Sequence, residues 1–398
     1  LVDTLQEEAS TGETPVGEIE DRLARLWSRL LHKDAIFRTA DFFEMGGHSL
    51  LAIRMVSAIY REFTKEVSIN DIFEFPLLKD LATFLEKVEN REESKITPAP
   101  IMKKYPLSHA QRRLWTLESI QMDGGAMTIT SAIRIRGKID LHSYLKSWKK
   151  VVERHEILRT RIIVEHEKPR QVVHEDNFPV GYEVLDSDTS EVDILQRVDQ
   201  VGKQQISMYD NWLFRITIFE TKSLDYIVLL QMHHIIGDAW SLDIIAAEQK
   251  TIYELLVQKL PIEMENLPFH YKDYAYWQAK ASDVDHLESA KKYWQEKLSD
   301  DLPVLSIPLD HARPVVKTYN GGIVLTVLDK KQSRNFEAIC SRTHSTRFVT
   351  ALTIFKLLLH RLSGQETVVV GTTIANRTQQ GLDKQVGFYV QTLPLLDS

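Results

Sequence analysis

Residues Tyr226–Ile245 read YIVLLQMHHIIGDAWSLDII. The run Tyr226–Met232 has the apolar, β-branched and aromatic character of a strand. It ends at His233-His234, Asp238 follows four residues later, and an amphipathic helix begins near Ser241. Side chains alternate across a strand, so adjacent histidines face opposite ways and are poor co-ligands for one metal. No other Cys or His-Glu-x-x-His arrangement accompanies them, so a zinc site is not expected. Taken alone, the segment is also compatible with two buried, hydrogen-bonded histidines and Asp238 as their partner.

Working outward, strand-like stretches recur at Ile129–Ile135, Arg161–Glu165, Phe214–Glu220, Ile323–Val327 and Thr367–Gly371. Helical periodicity marks Leu141–Glu153, Val192–Ser207, Ser241–Gln258, Asp285–Leu298, Lys331–His344 and Phe348–Leu362. Irregular alternation of the two predicts a layered α/β or α+β body. Upstream lies the clearest linker, residues 89–104 (ENREESKITPAPIMKK), charged, with two prolines and no apolar period.

Before the linker the pattern is all helical. Ile19, Leu23, Leu26, Trp27, Leu30 and Leu31 fall on one helix face. A second apolar helix starts at Ser49, Asp71-Ile72-Phe73 opens a short turn, and Leu78–Val88 is the last helix. This predicts a small bundle near the lower size limit for a self-sufficient core. In the loop before the second helix, Asp41–Leu50 reads DFFEMGGHSL. The glycines permit a turn with positive φ. Ser49 can therefore be a helix N-cap satisfying a free backbone N–H. A hydrolase nucleophile elbow requires Gly two residues after the Ser, and residue 51 is leucine.

The 398 residues exceed what one core usually serves, so two or three domains are expected. With 43% hydrophobic and 26% charged residues the composition is that of a soluble globular protein. No apolar run approaches the ~20 residues that span a bilayer. The N-terminus lacks the basic start and apolar core of a signal peptide, and lacks a Met, as an internal piece of a longer polypeptide would. Cys340 is the single cysteine, which excludes an internal disulfide and fits a reducing cytoplasm. Residues 1–90 carry 17 acidic and 10 basic side chains, whereas the remainder is neutral. An acidic small domain suits a protein partner and not nucleic acid, which wants a basic face.

DFFEMGGHSLLAIRM resembles the phosphopantetheine attachment motif of peptidyl carrier proteins, and the likeness runs over residues ~15–88. Ser49 matches the modified serine. His233-His234-x-x-x-Asp238 resembles the His-His-x-x-x-Asp-Gly signature of nonribosomal peptide synthetase condensation domains, which belong to the chloramphenicol acetyltransferase-like superfamily. Four further segments match that family's motifs in order: Pro106–Trp115 (PLSHAQRRLW), Arg154–Thr160 (RHEILRT), Tyr271–Gln278 (YKDYAYWQ) and Val386–Leu393 (VGFYVQTL). There are departures. Ala239 stands for the signature's Gly, Gly237 for a common Ser, Gln391 for Asn, and Asn376 where Gly-Arg is expected. The family also continues past the last motif, so the second lobe is expected to be incomplete at Ser398.

The resemblance implies a multidomain chain. It predicts a four-helix carrier bundle (13–88), a linker (89–104), and a two-lobed α/β (α+β) condensation domain with lobes at 105–280 and 281–398. Ser49 would carry 4'-phosphopantetheine, installed by a phosphopantetheinyl transferase. An upstream adenylation domain and a downstream acceptor carrier would complete a monomeric, cytoplasmic assembly, with no membrane, nucleic acid or metal. His234 would sit at the reacting centre, as general base or by positioning the amine, with His233 beside it. Asp238 would be structural, paired with Arg154 or Arg159, and Gly237 or a neighbouring N–H would face the oxyanion. Trp240 before Ser241 and the absence of an epimerization domain imply an L-configured donor. The product class would be that of antibiotic-type secondary metabolism. The rival expectation is a non-catalytic recruitment module attached to a carrier.

Overall fold

The computed structural model describes residues 13–31, 33–47, 49–65, 67, 69–88, 96–120, 127–176, 178–186, 188–222, 224–280, 284–298, 302–314, 321–343, 345–377, 379 and 381–397. They fall into two compact units: residues up to 88 with 306–308 and 322–366, and residues 96–305 with 309–321 and 367–397.

The first unit opens with four helices, α1 (Gly17–Leu31), α2 (Ser49–Phe63), α3 (Ile69–Glu74) and α4 (Leu78–Lys87). Their apolar stripes meet in a core of Leu23, Leu26, Trp27, Met55, Ile59, Ile72, Leu81 and Leu85. The long loop between α1 and α2 belongs to that core through Phe42, fully buried and edge-to-face with Trp27 at 5.2 Å. Two backbone bonds pin it to the start of α4: Phe42 N–H donates to the Pro76 carbonyl (2.9 Å) and Leu78 N–H to that of Ala40 (3.1 Å). Asp41 Oδ1 accepts from the N–H groups of Phe43 and Glu44, an Asx turn that starts the reversal.

The glycine pair then does two different things. Gly46 adopts φ +101°, open to glycine without steric cost. Gly47 lies so close to Phe42 that a Cβ would stand 2.4 Å from its carbonyl oxygen. Ser49 follows as the first residue of α2, whose first turn contains no acidic side chain.

The second unit contains, in order, β1 (Tyr105–Pro106), α5 (His109–Ile120), β2 (Thr128–Arg136), α6 (Leu141–Arg154), β3 (Thr160–Glu165), β4 (Lys168–Val173), β5 (Val180–Val184), α7 (Glu191–Gly202), β6 (Phe214–Lys222), β7 (Asp225–His233), α8 (Ala239–Val257), α9 (Tyr271–Lys280) and α10 (Val284–Lys297). Helices α11 (Lys330–Arg342) and α12 (Arg347–Ser363) group with the first unit, and β8 (Val368–Ile374) and β9 (Gln391–Asp397) with the second. The main sheet has the order β2–β7–β6–β5, antiparallel except for the parallel β5–β6 pair. A smaller sheet runs β1–β4–β3, and β8 pairs with β9.

Strand β7 is the axis of the main sheet and is buried on both faces. Val228, Leu230 and Met232 point into the main core with Val151 and Val152 of α6 and Ile245 and Ile252 of α8. Ile227 and Leu229 point the other way, onto Ile194 and Val198 of α7. A strand covered on both sides reads as a continuous apolar run, which is why YIVLL carries no alternation.

Two expectations change. Ile323–Val327 forms no strand: Ile323, Val324, Leu325 and Val327 are exposed, with no pairing strand among the described residues. Of the expected linker, 89–95 lies outside the described residues, while 96–104 is held to the second unit. Ile96 packs on its core and Ala99 N–H donates to Asp273 Oδ1 at 2.9 Å.

Gly47→Ala is expected to destabilise the bundle by about 1–3 kcal/mol, since a fixed carbonyl and ring occupy the new methyl's place. Hydrogen exchange of the α1–α4 amides in mild urea measures this, with Gly321→Ala, where a Cβ meets nothing within 4 Å, as a silent control.

Candidate active site

The backbone leaves β7 at His233, makes one 3-10 turn over His234–Ile236, and enters α8 at Asp238. The turn is clamped on every side. His233 N–H donates to Leu213 O (2.8 Å) and His234 N–H to Met127 O (2.7 Å). Ile235 N–H donates to His233 Nδ1 at 3.1 Å, and Ile235 O accepts from Gln111 Nε2 at 3.0 Å. His233 is fully buried and His234 half-buried, so the two rings diverge in environment as alternation suggested.

His234 Nδ1 lies 3.0 Å from the Gly237 carbonyl oxygen. A carbonyl can only accept, so Nδ1 carries the proton. Burial holds the ring's pKa below its ordinary value, against the smaller opposing pull of the Gly237 carbonyl and Asp238. The imidazole is then neutral near pH 7 and Nε2 presents a lone pair. Phe388 packs edge-on against the ring, 5.4 Å between centroids. The oxyanion role expected of Gly237 is not supported by its geometry. Its N–H is turned onto His234 O at 3.3 Å, and its carbonyl serves to orient His234.

Asp238 is 1% exposed and is held through both carboxylate oxygens. Oδ1 accepts from Ser241 N–H (2.9 Å), Ser241 Oγ (2.7 Å) and Arg377 Nη2 (3.0 Å), and Oδ2 from Tyr389 N–H (3.2 Å). It is thus the N-cap of α8 and half of a buried ion pair. The cation is Arg377, not Arg154 or Arg159. Arg154 reaches Glu248 Oε1 (3.2 Å) and the Glu265 carbonyl (2.7 Å), joining α6 to α8. Arg159 reaches the His174 carbonyl at 3.2 Å, and so stays with the smaller sheet. Arg377 also donates to the carbonyls of Leu382 and Gln385, and its guanidinium lies 4.3 Å from the Tyr389 ring centroid. The residue before it, Asn376, has φ +50°, a conformation Asn tolerates. That departure from Gly was the available signal for Arg377. Ala239, the other departure, is the first residue of α8 and needs no positive φ.

The remaining segments converge here. Ser241 Oγ, its proton given to Asp238, accepts from Gly387 N–H (3.0 Å) and lies 2.9 Å from the Gly387 carbonyl oxygen. Gly387 has no room for a side chain, since a Cβ would stand 2.0 Å from Tyr271 Cδ2. Tyr271 OH donates to Phe388 O (2.6 Å) and lies 2.7 Å from Ser108 Oγ. Burial raises the Tyr271 and Tyr389 phenols well above the usual range, so both stay neutral. Of the RHEILRT segment, Glu156 pairs with Lys272 of α9 and His155 Nε2 lies 2.7 Å from Glu248 Oε2. Ser108, Tyr271 and Gly387–Tyr389 thus join Asp238 and Ser241 in one frame beside His234, while the RHEILRT segment braces α8 and α9. Among the described residues no cluster of His, Cys, Asp or Glu could hold a metal ion.

The family match spans this frame: the condensation domain family covers residues 101–396, and the phosphopantetheine attachment site family residues 21–85. The chain belongs to the condensation domain family. Its condensation domain has the chloramphenicol acetyltransferase-like fold and is preceded by a carrier domain. A linear gramicidin synthase of Brevibacillus parabrevis is 33% identical over 401 residues, covering 97% of this chain and 5% of that protein. Gramicidin S synthase 2 of Aneurinibacillus migulanus is 32% identical over 381 residues, 96% of this chain and 8% of its own length. The chain therefore spans a small part of these relatives. The fold is also that of the X-domain solved with OxyB from teicoplanin biosynthesis (TM-score 0.68, 21% identity, 76% of this chain and 67% of that one). A four-domain nonribosomal peptide synthetase bound to AMP and glycine gives a TM-score of 0.66 at 22% identity, over 75% of this chain and 22% of that one. No helix among the described residues is long and apolar enough to cross a membrane.

Removing one partner of the buried pair leaves an uncompensated charge, so Asp238→Ala and Arg377→Ala should each cost about 3–5 kcal/mol. The double variant should cost less than the two together. Urea denaturation of all three gives the coupling energy, and simple additivity would contradict the pairing.

Proposed function

We propose that this chain is a carrier–condensation segment of a nonribosomal peptide synthetase and forms amide bonds, with His234 at the reacting centre. The observation that carries the proposal is a neutral imidazole whose Nδ1–H is fixed on the Gly237 carbonyl, leaving Nε2 as a lone-pair acceptor. An acceptor α-amine attacking an acyl carbon forms a C–N bond as the C–S bond to the donor thiol breaks. It must also lose a proton, and Nε2 can take that proton or hold the N–H in line for attack. A recruitment module has no use for such a group.

Ser49 suits the prosthetic group. It opens α2 immediately after the Gly46-Gly47 reversal, at a helix N-terminus with no acid in its first turn, where a phosphodiester is favoured. When attached, 4'-phosphopantetheine supplies a flexible thiol on which an acyl group travels. Its installation requires a phosphopantetheinyl transferase. The upstream adenylation domain and the downstream acceptor carrier are partners by the order of domains in such synthetases. The same order makes Ser49 the donor position. The lobes at 105–280 and 281–398, the L-configured donor and the cytoplasmic location belong to this proposal. The relatives' names place them in gramicidin synthesis, and a peptide antibiotic is the corresponding product class here.

Coenzyme A and a phosphopantetheinyl transferase should add one arm to the chain, and none to Ser49→Ala, by intact-protein mass spectrometry. With a labelled acyl group on Ser49 and a separate aminoacyl carrier, label should leave Ser49. His234→Ala should slow this transfer by roughly 10²–10⁴-fold. Label growing on Ser49 would reverse the assigned direction.

The pH dependence has a definite sign. Because burial lowers the His234 pKa from 6.5, Nε2 stays unprotonated through neutral pH and below 6.5. Single-turnover transfer should be flat near pH 7 and fall only as pH drops through that depressed pKa. An acid limb centred above 6.5 would contradict the neutral-imidazole assignment.

A further inference from the structure

Helix α5 places Gln111, Leu114 and Glu118 on one face, at intervals of three and four residues. Leu114 is buried in the core and Gln111 holds the Ile235 carbonyl. Glu118, two turns beyond Gln111, has its side chain 10% exposed. Its Oε2 lies 3.1 Å from Nε2 of the fully buried His233. The contact lacks in-line hydrogen-bond geometry, and neither atom has another partner among the described residues. Two buried polar atoms at this separation, with nothing else to bind, leave a large desolvation cost unless they pair.

The other side of the ring fixes its proton. Ile235 N–H donates to His233 Nδ1 at 3.1 Å, so Nδ1 holds the lone pair and a neutral ring must carry its proton on Nε2, toward Glu118. We propose that Glu118 is a positioning residue that locks His233 in the Nε2–H tautomer, and through it holds the turn that presents His234. The link runs from Glu118 Oε2 to His233 Nε2, through the ring to Nδ1 and Ile235 N–H, and along the backbone of the turn to Gly237, whose carbonyl fixes His234. If the proton moved to Nδ1, two N–H groups would confront each other at Ile235 and the turn would open. The same helix grips the Ile235 carbonyl through Gln111, so α5 holds two polar groups of that residue, one directly and one through His233. This inference rests on the reading of His234 for its kinetic consequence only.

The test uses the full chain with ¹⁵N-labelled histidine. In wild type, His233 should show a protonated Nε2 and a bare Nδ1, with a slowly exchanging Nε2–H. A wild-type His233 protonated on Nδ1 overturns the proposal without any variant. Glu118→Leu should give mixed tautomers at His233 and lower the single-turnover rate on the order of 10- to 100-fold, with acceptor KM unchanged. Glu118→Gln, which keeps an acceptor oxygen, should restore the tautomer and most of the rate. An unchanged tautomer in Glu118→Leu, or no rescue by Gln, sinks the positioning role. If His234→Ala transfers at the wild-type rate, the reading of His234 fails while the His233 spectrum still decides Glu118.

Discussion

A carboxylate sealed from water at the start of α8 is the constraint on which the second unit's geometry depends. Asp238 without partners would be costly to bury, so the chain must bring it donors. Two are local, the N–H and hydroxyl of Ser241. The others come from far along the sequence, the guanidinium of Arg377 and the N–H of Tyr389. The requirement therefore fixes Arg377, Gly387 and Tyr389 against the start of α8, and with them Phe388 against His234. A well-packed apolar pair could match the stability of such an ion pair, but would not specify which atoms meet. Here the buried charge sets register: Arg377 and Tyr389 N–H both meet Asp238, while Gly387 N–H meets the Ser241 hydroxyl.

This frame explains how an ordinary imidazole becomes useful. His234 is pushed toward its neutral form by burial, and the Asp238 charge nearby would by itself oppose that. Desolvation is the larger influence and prevails at the ring. The Gly237 carbonyl then settles which nitrogen holds the proton. Orientation and protonation state of the ring arise from the same short turn.

The legible parts were those whose signal is local. Period-3.6 stripes located α1, α2, α6, α8 and α12 within a few residues, and the apolar run gave β7. The turn at Gly46-Gly47 was carried by a compact motif. Strands β4, β5 and β9 were missed because they are short or polar and owe their state to pairing with β3, β6 and β8. Ile323–Val327 failed in the opposite direction, having strand composition without a strand to join. The site followed the same rule. His233, His234 and Asp238 sit within one turn and were readable, whereas the cation for Asp238 is 139 positions away and Glu118 meets His233 from another helix. The resemblance pointed to Arg154 or Arg159 of the RHEILRT segment, yet Arg154 serves Glu248 and Arg159 the His174 carbonyl.

The departures from the family's signature show what the frame demands of its backbone. A glycine at 239 is dispensable because the position is the first of a helix with ordinary φ, and alanine is the better helix former there. Position 376 is different. Its φ of +50° must be reached for Arg377 to turn back onto Asp238, and asparagine is among the few residues with a side chain that reach it routinely. Gly387 tolerates neither solution, because the ring of Tyr271 occupies the space of any Cβ. The three positions carry three distinct demands: a helical backbone, a left-handed one, and an absent side chain. Asn376 and Gly387 sit on the segment that delivers Arg377 and Tyr389 to one buried carboxylate.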